Sequence, residues 1–100
     1  MPTSPTTTTA TWQGAIIASS DRVQLVDGYT YFPPDAVDRA HLRPVTHQTV
    51  CGWKGTASYF DVVVGDAVNE TAAWSYVAPK PAAAHITGWI GFWRGVEISR

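Results

Sequence analysis

The stretch that decides the fold is Ala57-Ser58-Tyr59-Phe60-Asp61-Val62-Val63-Val64, followed by the turn pair Gly65-Asp66 and then Ala67-Val68. Eight residues rich in β-branched and aromatic side chains, closed by a turn, specify a strand and the start of an antiparallel partner. The partner continues through residues 71–77 until Pro79 and Pro81 close it. Working outward, Val23-Gln24-Leu25-Val26 runs into Asp27-Gly28, the strongest short-range hairpin signal, and residues 29–32 form the returning strand. Pro33-Pro34 ends that strand, because proline cannot donate to a ladder and restricts the residue before it. Ala15-Ile16-Ile17-Ala18 is a further short strand, and residues 89–93 and 96–98 form a last pair around Arg94-Gly95. Residues 34–39 and 82–86 read as short helical turns. Residues 41–52, with Pro44 and no clean period, read as an irregular loop of the kind that carries function on a rigid scaffold.

The fold class that follows is mainly β: a compact single domain of short antiparallel strands with one or two short helical turns. One hundred residues leave no room for a second core. Residues 1–11 are Thr, Pro, Ser and Ala after the initiator Met, and they read as a flexible tail before a single β-rich domain over residues 12–100. Composition narrows the function classes. A formal net charge of -1 argues against nucleic acid, whose binding needs a concentrated excess of Lys and Arg. No apolar run approaches the roughly 20 residues of a membrane span. The one cysteine, Cys51, precludes an internal disulfide and a multi-cysteine zinc site, so no metal and no cofactor is expected. With neither a basic n-region nor an apolar h-region at the N-terminus, a reducing, cytoplasmic location is the expectation.

The unusual feature of the composition is its aromatic content, five Trp, four Tyr and three Phe against 15% charged residues. Alternation along strands puts Tyr29 with Tyr31, Trp74 with Tyr76, and Trp89 with Trp93 on shared faces. Such pairs are either core filler in a domain short of aliphatic volume or the walls of a partly open aromatic pocket. Residues 46–55 hold most of the reactive chemistry: His47, Cys51 and Lys54. Cys51 is a candidate nucleophile if the Lys54 ammonium three residues on lowers its pKa, and otherwise a small buried hydrophobe. Lys54 is an anion-binding group or a snorkelling surface residue, and His47 an acid–base candidate or a loop hydrogen-bonding residue. Asp61 alternates with Tyr59 and Val63, and facing inward it would need partners. No phosphate-binding loop, zinc-protease helix motif or serine elbow occurs.

Several of these residues fall into blocks that resemble a known family. Trp12-Gln13-Gly14, Tyr31-Phe32-Pro33, the Thr-x-Cys-x-Trp-Lys-Gly-x-Ala-x-Tyr block from Thr49 to Tyr59, and Ala73-Trp74-Ser75-Tyr76 with Pro79 are similar to the domain-of-unknown-function family number 427. The resemblance covers Trp12 to about Ile98. It implies a β-tent-like fold, two antiparallel sheets meeting at an angle, whose relatives hold zinc through two cysteine pairs or bind planar ligands in an aromatic cage. With Cys51 alone, only the cage carries over. The family bears a nucleotidyltransferase-like label, but the Gly-Ser dipeptide with paired metal-binding carboxylates that such enzymes use does not occur here.

The expected function is therefore binding of a small planar or anionic ligand in an aromatic pocket built by Thr49, Trp53, Lys54, Tyr59, Trp74 and Tyr76. An enzyme using Cys51, Lys54 or His47 is the alternative. The third reading is an interaction module in which Trp89 and Trp93 on an edge strand meet a partner or a second copy of the chain, a homo-oligomer.

Overall fold

The computed structural model describes residues 7–99. It contains nine strands and three 3-10 helical turns in two antiparallel sheets. β1 (Thr8–Trp12), β2 (Ala15–Ser20) and β9 (Glu97–Ser99) form a three-stranded sheet in the order β2-β1-β9. The second sheet has six strands: β3 (Gln24–Val26), β4 (Tyr29–Phe32), β8 (Ile90–Phe92), β7 (Ala67–Ser75), β6 (Gly55–Val64) and β5 (Leu42–Cys51), in that spatial order. The 3-10 turns are Pro34–Ala36, Arg39–His41 and Pro81–Ile86.

The strands, turns and prolines read from the sequence largely fall where expected, and three expectations are corrected. Residues 8–11, assigned to a tail, make up most of β1; its Thr8 and Ala10 are buried, and it pairs with both β2 and β9. Threonine is β-branched and fits a pleated, half-buried surface, so a Thr-rich run forms a strand once neighbours pair with it. Of the rest of that expected tail, Thr7 is exposed and precedes the strand, and residues 1–6 lie outside the described residues. Residues 42–51, assigned to a loop, form the long outer strand β5, with Pro44 next to a register shift where its missing donor costs nothing. The 89–93 and 96–98 segments do not pair, and the first is not an edge: β8 lies between β4 and β7, while β9 pairs with β1 in the other sheet. Trp89 and Trp93 are half-buried against a cluster of aromatic residues, so they do not form the exposed edge patch expected of an interaction module.

The six-stranded sheet is apolar on both faces. Phe32, Val62, Ala73, Ile90 and Phe92 point to one side and pack with Ala10, Ile17 and Ala18 of the small sheet. Tyr31, Ala57, Tyr59 and Trp74 point to the other, where Tyr76 and the Ala83 and Ile86 side chains of the Pro81–Ile86 turn pack with them and no second sheet lies over them among the described residues. Burying each large side chain contributes about 1.5–3 kcal/mol, and both faces contribute, the first under a second sheet and the second through aromatic side chains packed on one another.

Asp61 does face inward, and its partners are visible. One carboxylate oxygen accepts from Arg43 Nη2 at 2.7 Å and the other from the Thr71 backbone N–H at 2.9 Å. These contacts hold an irregular step in the β6–β7 ladder, where Thr71 has a left-handed φ of 52°. Burial pushes the Asp61 carboxyl up, but the Arg43 hydrogen bond, the Thr71 N–H and the Arg43 charge outweigh it, and the net pKa lies below the usual carboxylate range. A carboxylate held below its unfolded pKa adds stability that is complete above roughly pH 4 and is lost as the pH falls through the folded value. Asp61→Asn is therefore expected to cost about 1–2 kcal/mol at pH 7, the worth of charge-assisted hydrogen bonds to a half-exposed partner. Urea unfolding at pH 7 and at pH 3 checks this. The gap between the proteins should shrink at pH 3, and an equal gap at both would contradict the assignment.

Candidate functional site

The uncovered face of the six-stranded sheet holds a cavity of about 120 Å³ lined by Tyr29, Tyr31, Lys54, Tyr59, Trp74, Tyr76 and Trp93. The aromatic walls follow from strand alternation, and Lys54 comes from a turn. Tyr29 and Tyr31 come from β4, Tyr59 from β6, Trp74 from β7 with Tyr76 just beyond it, and Trp93 follows β8. The floor is Trp74, whose ring meets Tyr29 edge-on at 4.9 Å and Trp93 at 5.6 Å between centroids. Its indole N–H donates to the Tyr31 hydroxyl at 3.1 Å. Beneath it Gly91 supplies the space, since a Cβ there would stand 2.7 Å from Trp74 Cζ2. Trp93 is fixed by a 2.6 Å hydrogen bond from its indole N–H to the Thr71 carbonyl, so the step held by Asp61 also sets this wall.

Lys54 is the one cation among the lining residues. It sits in the turn between β5 and β6 and is 6% exposed, with its ammonium 5.1 Å from the Trp53 ring and 5.8 Å from that of Tyr76. Its counter-charge is Asp27, in the tight turn joining β3 and β4. Asp27 Oδ2 lies 2.7 Å from Lys54 Nζ and also accepts from Trp53 Nε1 at 3.2 Å. Both central residues of that turn have positive φ, 53° at Asp27 and 81° at Gly28, the backbone of a type I′ hairpin. The Lys54 hydrogen bond holds Asp27 below its ordinary pKa. Burial pushes Lys54 down, but the Asp27 hydrogen bond and the Tyr31, Tyr76 and Asp27 oxygens more than offset it, and Lys54 lies above its ordinary pKa. A lysine so placed stays protonated at neutral pH and acts as a charge rather than as an amine nucleophile. Burial pushes Tyr76 up to about 12 and raises Tyr31 as well, so both remain hydroxyl groups.

Of the residues singled out in the sequence, Lys54, Tyr59, Trp74 and Tyr76 line this cavity. Thr49 is exposed on β5 and its hydroxyl hydrogen-bonds to the Tyr59 hydroxyl at 3.0 Å. Trp53 stands at the mouth, 40% exposed. His47 is exposed, with its ring edge-on to Tyr59 at 4.8 Å. Cys51 is half-buried against the same aromatic cluster. Among the described residues no hydrogen bond joins Cys51 to a histidine: His41 is held by the Val63 carbonyl, and His85 lies in the Pro81–Ile86 turn. Asp27, Tyr29, Tyr31 and Trp93 were not picked as site residues. The alternation that paired Tyr29 with Tyr31 was the available signal for two of them, whereas Asp27 reaches Lys54 only because two hairpin tips meet. Among the described residues no three of His, Cys, Asp and Glu gather as a metal site would need, and no helix is long and apolar enough to cross a membrane.

A family model described as a domain of unknown function (DUF427) matches residues 1–99. No curated protein matches the chain.

The Cys51 thiol is pulled below its ordinary pKa, chiefly by hydrogen bonds from the backbone N–H groups of Lys54 and Trp53 and only in small part by the Lys54 ammonium. The cause expected from the sequence is thus the minor one. In iodoacetamide alkylation followed against pH, the Cys51 midpoint should fall below that of an exposed cysteine peptide run alongside. Lys54→Met should keep most of that displacement, and a return to the peptide value in Lys54→Met would assign the effect to the ammonium instead.

Proposed function

The chain belongs to the DUF427 family, and from that premise we propose that the domain binds a small planar ligand, one ring in size, between the aromatic walls around Lys54. The observation that carries this reading is the cavity itself: six aromatic side chains and one buried ammonium converge on about 120 Å³. An apolar cavity of about 150 Å³ accepts a single benzene ring, so this volume suits a monocyclic group and is too small to enclose a fused, substituted one. Indole and phenol faces supply stacking surface, and the hydroxyl groups of Tyr31, Tyr59 and Tyr76 supply the few polar contacts that orient a ring.

The reading does not depend on catalysis. Lys54 is protonated, Cys51 has no histidine as a base, and what remains is a shaped receptor.

A thermal-shift screen of monocyclic aromatic and heteroaromatic compounds tests the proposal. A true ligand at ten times its Kd stabilises the fold by about 1.4 kcal/mol, which for a domain of this size raises Tm by roughly 5–10 °C. Gly91→Ala is the specificity control. Its added methyl meets the Trp74 ring from below and drives the indole into the cavity, costing about 1–3 kcal/mol of stability through overpacking. The variant should fold at a lower Tm and lose the ligand-dependent shift. A ligand whose shift survives in Gly91→Ala binds elsewhere, and a screen with no responder defeats the proposal.

A further inference from the structure

At the mouth of the cavity two hydrogen-bond donors converge on one carboxylate oxygen. Lys54 Nζ and Trp53 Nε1 come from adjacent residues of the β5–β6 turn, and both meet Asp27 Oδ2, at 2.7 and 3.2 Å. This pair forms an acid-binding site already filled by a side chain of the protein. The two sides of the contact are unequal. The Lys54 side chain is 7% exposed and belongs to the cavity wall, whereas the Asp27 side chain is 52% exposed and stands on the solvent side. The donors are thus built in, and the acceptor is the replaceable member.

The element that carries Asp27 is also the least anchored part of the site. β3 is a three-residue edge strand, Leu25 beside the turn is 66% exposed, and the side chain of Gln24 ties the hairpin down through one exposed contact, to the His85 carbonyl at 3.2 Å. Segments with few buried contacts and exposed hydrogen bonds open at low free-energy cost. Tyr29, next to the turn, is 38% exposed and covers Trp74 from the same hairpin, so the tip and one wall of the cavity move together.

Resting on the reading of the cavity as a ligand site, we propose that its ligand is a monocyclic planar acid whose carboxylate replaces Asp27 on Lys54 Nζ and Trp53 Nε1, with Asp27 acting as an internal competitor that sets the affinity. A neutral ring would leave the ion pair in place. An acidic ring entering beside Lys54 brings a second carboxylate to a single ammonium, and repulsion between the two like charges expels the exposed one. Lys54 has three N–H donors, lines the cavity and meets Asp27 at its mouth, so its ammonium can receive the incoming carboxylate as the Asp27 tip gives way.

Asp27→Asn tests this with the fold preserved, because Asn-Gly is a preferred type I′ pair. Binding of benzoate, benzamide and benzylamine to wild type and Asp27→Asn is measured by titration calorimetry, with the Trp53 indole N–H resonance followed by NMR. The proposal expects benzoate to bind Asp27→Asn at least tenfold more tightly than wild type, and benzamide to change less than twofold. It also expects benzoate to shift the wild-type Trp53 resonance while benzamide leaves it in place. In Lys54→Met, benzoate binding should be lost and benzamide binding kept. If benzamide binds both proteins but benzoate gains nothing from Asp27→Asn, the competitor role is wrong and the cavity reading stands. Preference for benzylamine, lost in Asp27→Asn, would assign the site to cations with Asp27 as a true ligand group and overturn the proposal. Failure of all three compounds to bind either protein would overturn this proposal together with the cavity reading beneath it.

Discussion

A sheet that is apolar on both faces must be covered on both, and among the described residues a second sheet covers one face alone. The small sheet of β1, β2 and β9 closes one side over Phe32, Ile90 and Phe92. On the other side the Pro81–Ile86 turn contributes Ala83 and Ile86, and the remaining area is left to side chains standing on the sheet itself. Aromatic residues are the ones that can do this. Each ring buries a large area, rings meet edge to face without needing a second layer, and a phenol or indole keeps a polar tip for the side that stays wet. The cavity is thus the remainder of a packing problem that the domain solves with rings.

Setting a lysine into that wall creates a second requirement. A buried ammonium needs a counter-charge, and the protein draws it from a different hairpin, 27 positions away in sequence (54 minus 27). The short turn after Cys51 then has three tasks at once. It carries the Lys54 ammonium to the cavity, presents the Trp53 indole N–H to Asp27, and turns its own amides on the Cys51 sulfur. All three follow from the tightness of the turn, which keeps the Trp53 and Lys54 backbone N–H groups close enough to the Cys51 sulfur to lower its thiol pKa. The low thiol pKa is therefore a by-product of turn geometry and does not by itself mark a nucleophile.

The parts of the fold legible in the sequence were those where local chemistry is decisive. Asp27-Gly28 fixes a type I′ turn, the run ending in Val62-Val63-Val64 fixes β6, and the prolines at 33, 34, 79 and 81 fix where strands stop. β1 and β5 were not legible for opposite reasons. β1 is polar by composition and becomes a strand through pairing on both sides, while β5 is an outer strand with most of its side chains exposed, so no apolar alternation marks it. In the site, alternation placed the rings, but the meeting of two hairpin tips at Asp27 and Lys54 is a tertiary fact with no local signal. Gly91 did carry one: a glycine inside a strand pattern commonly means that something approaches its backbone closely, and here it is the Trp74 ring.

The floor and the mouth of the cavity are held by different physics. Trp74 stands on a central strand, its indole bonded to Tyr31 and its ring seated on Gly91, and Trp93 is pinned through Thr71 to the buried Asp61. Shifting either means breaking ladder hydrogen bonds or stripping a buried carboxylate of its partners. The mouth is held by an ion pair with one exposed member at the tip of a three-residue edge strand. The exposed Asp27 carboxylate can exchange for another acceptor while the buried Lys54 ammonium keeps a counter-charge, so the mouth is the part of the cavity that can change without moving its floor. A substitution confined to position 27 would therefore keep the glycine, the two indoles and the buried carboxylate in place and change only the charge at the mouth.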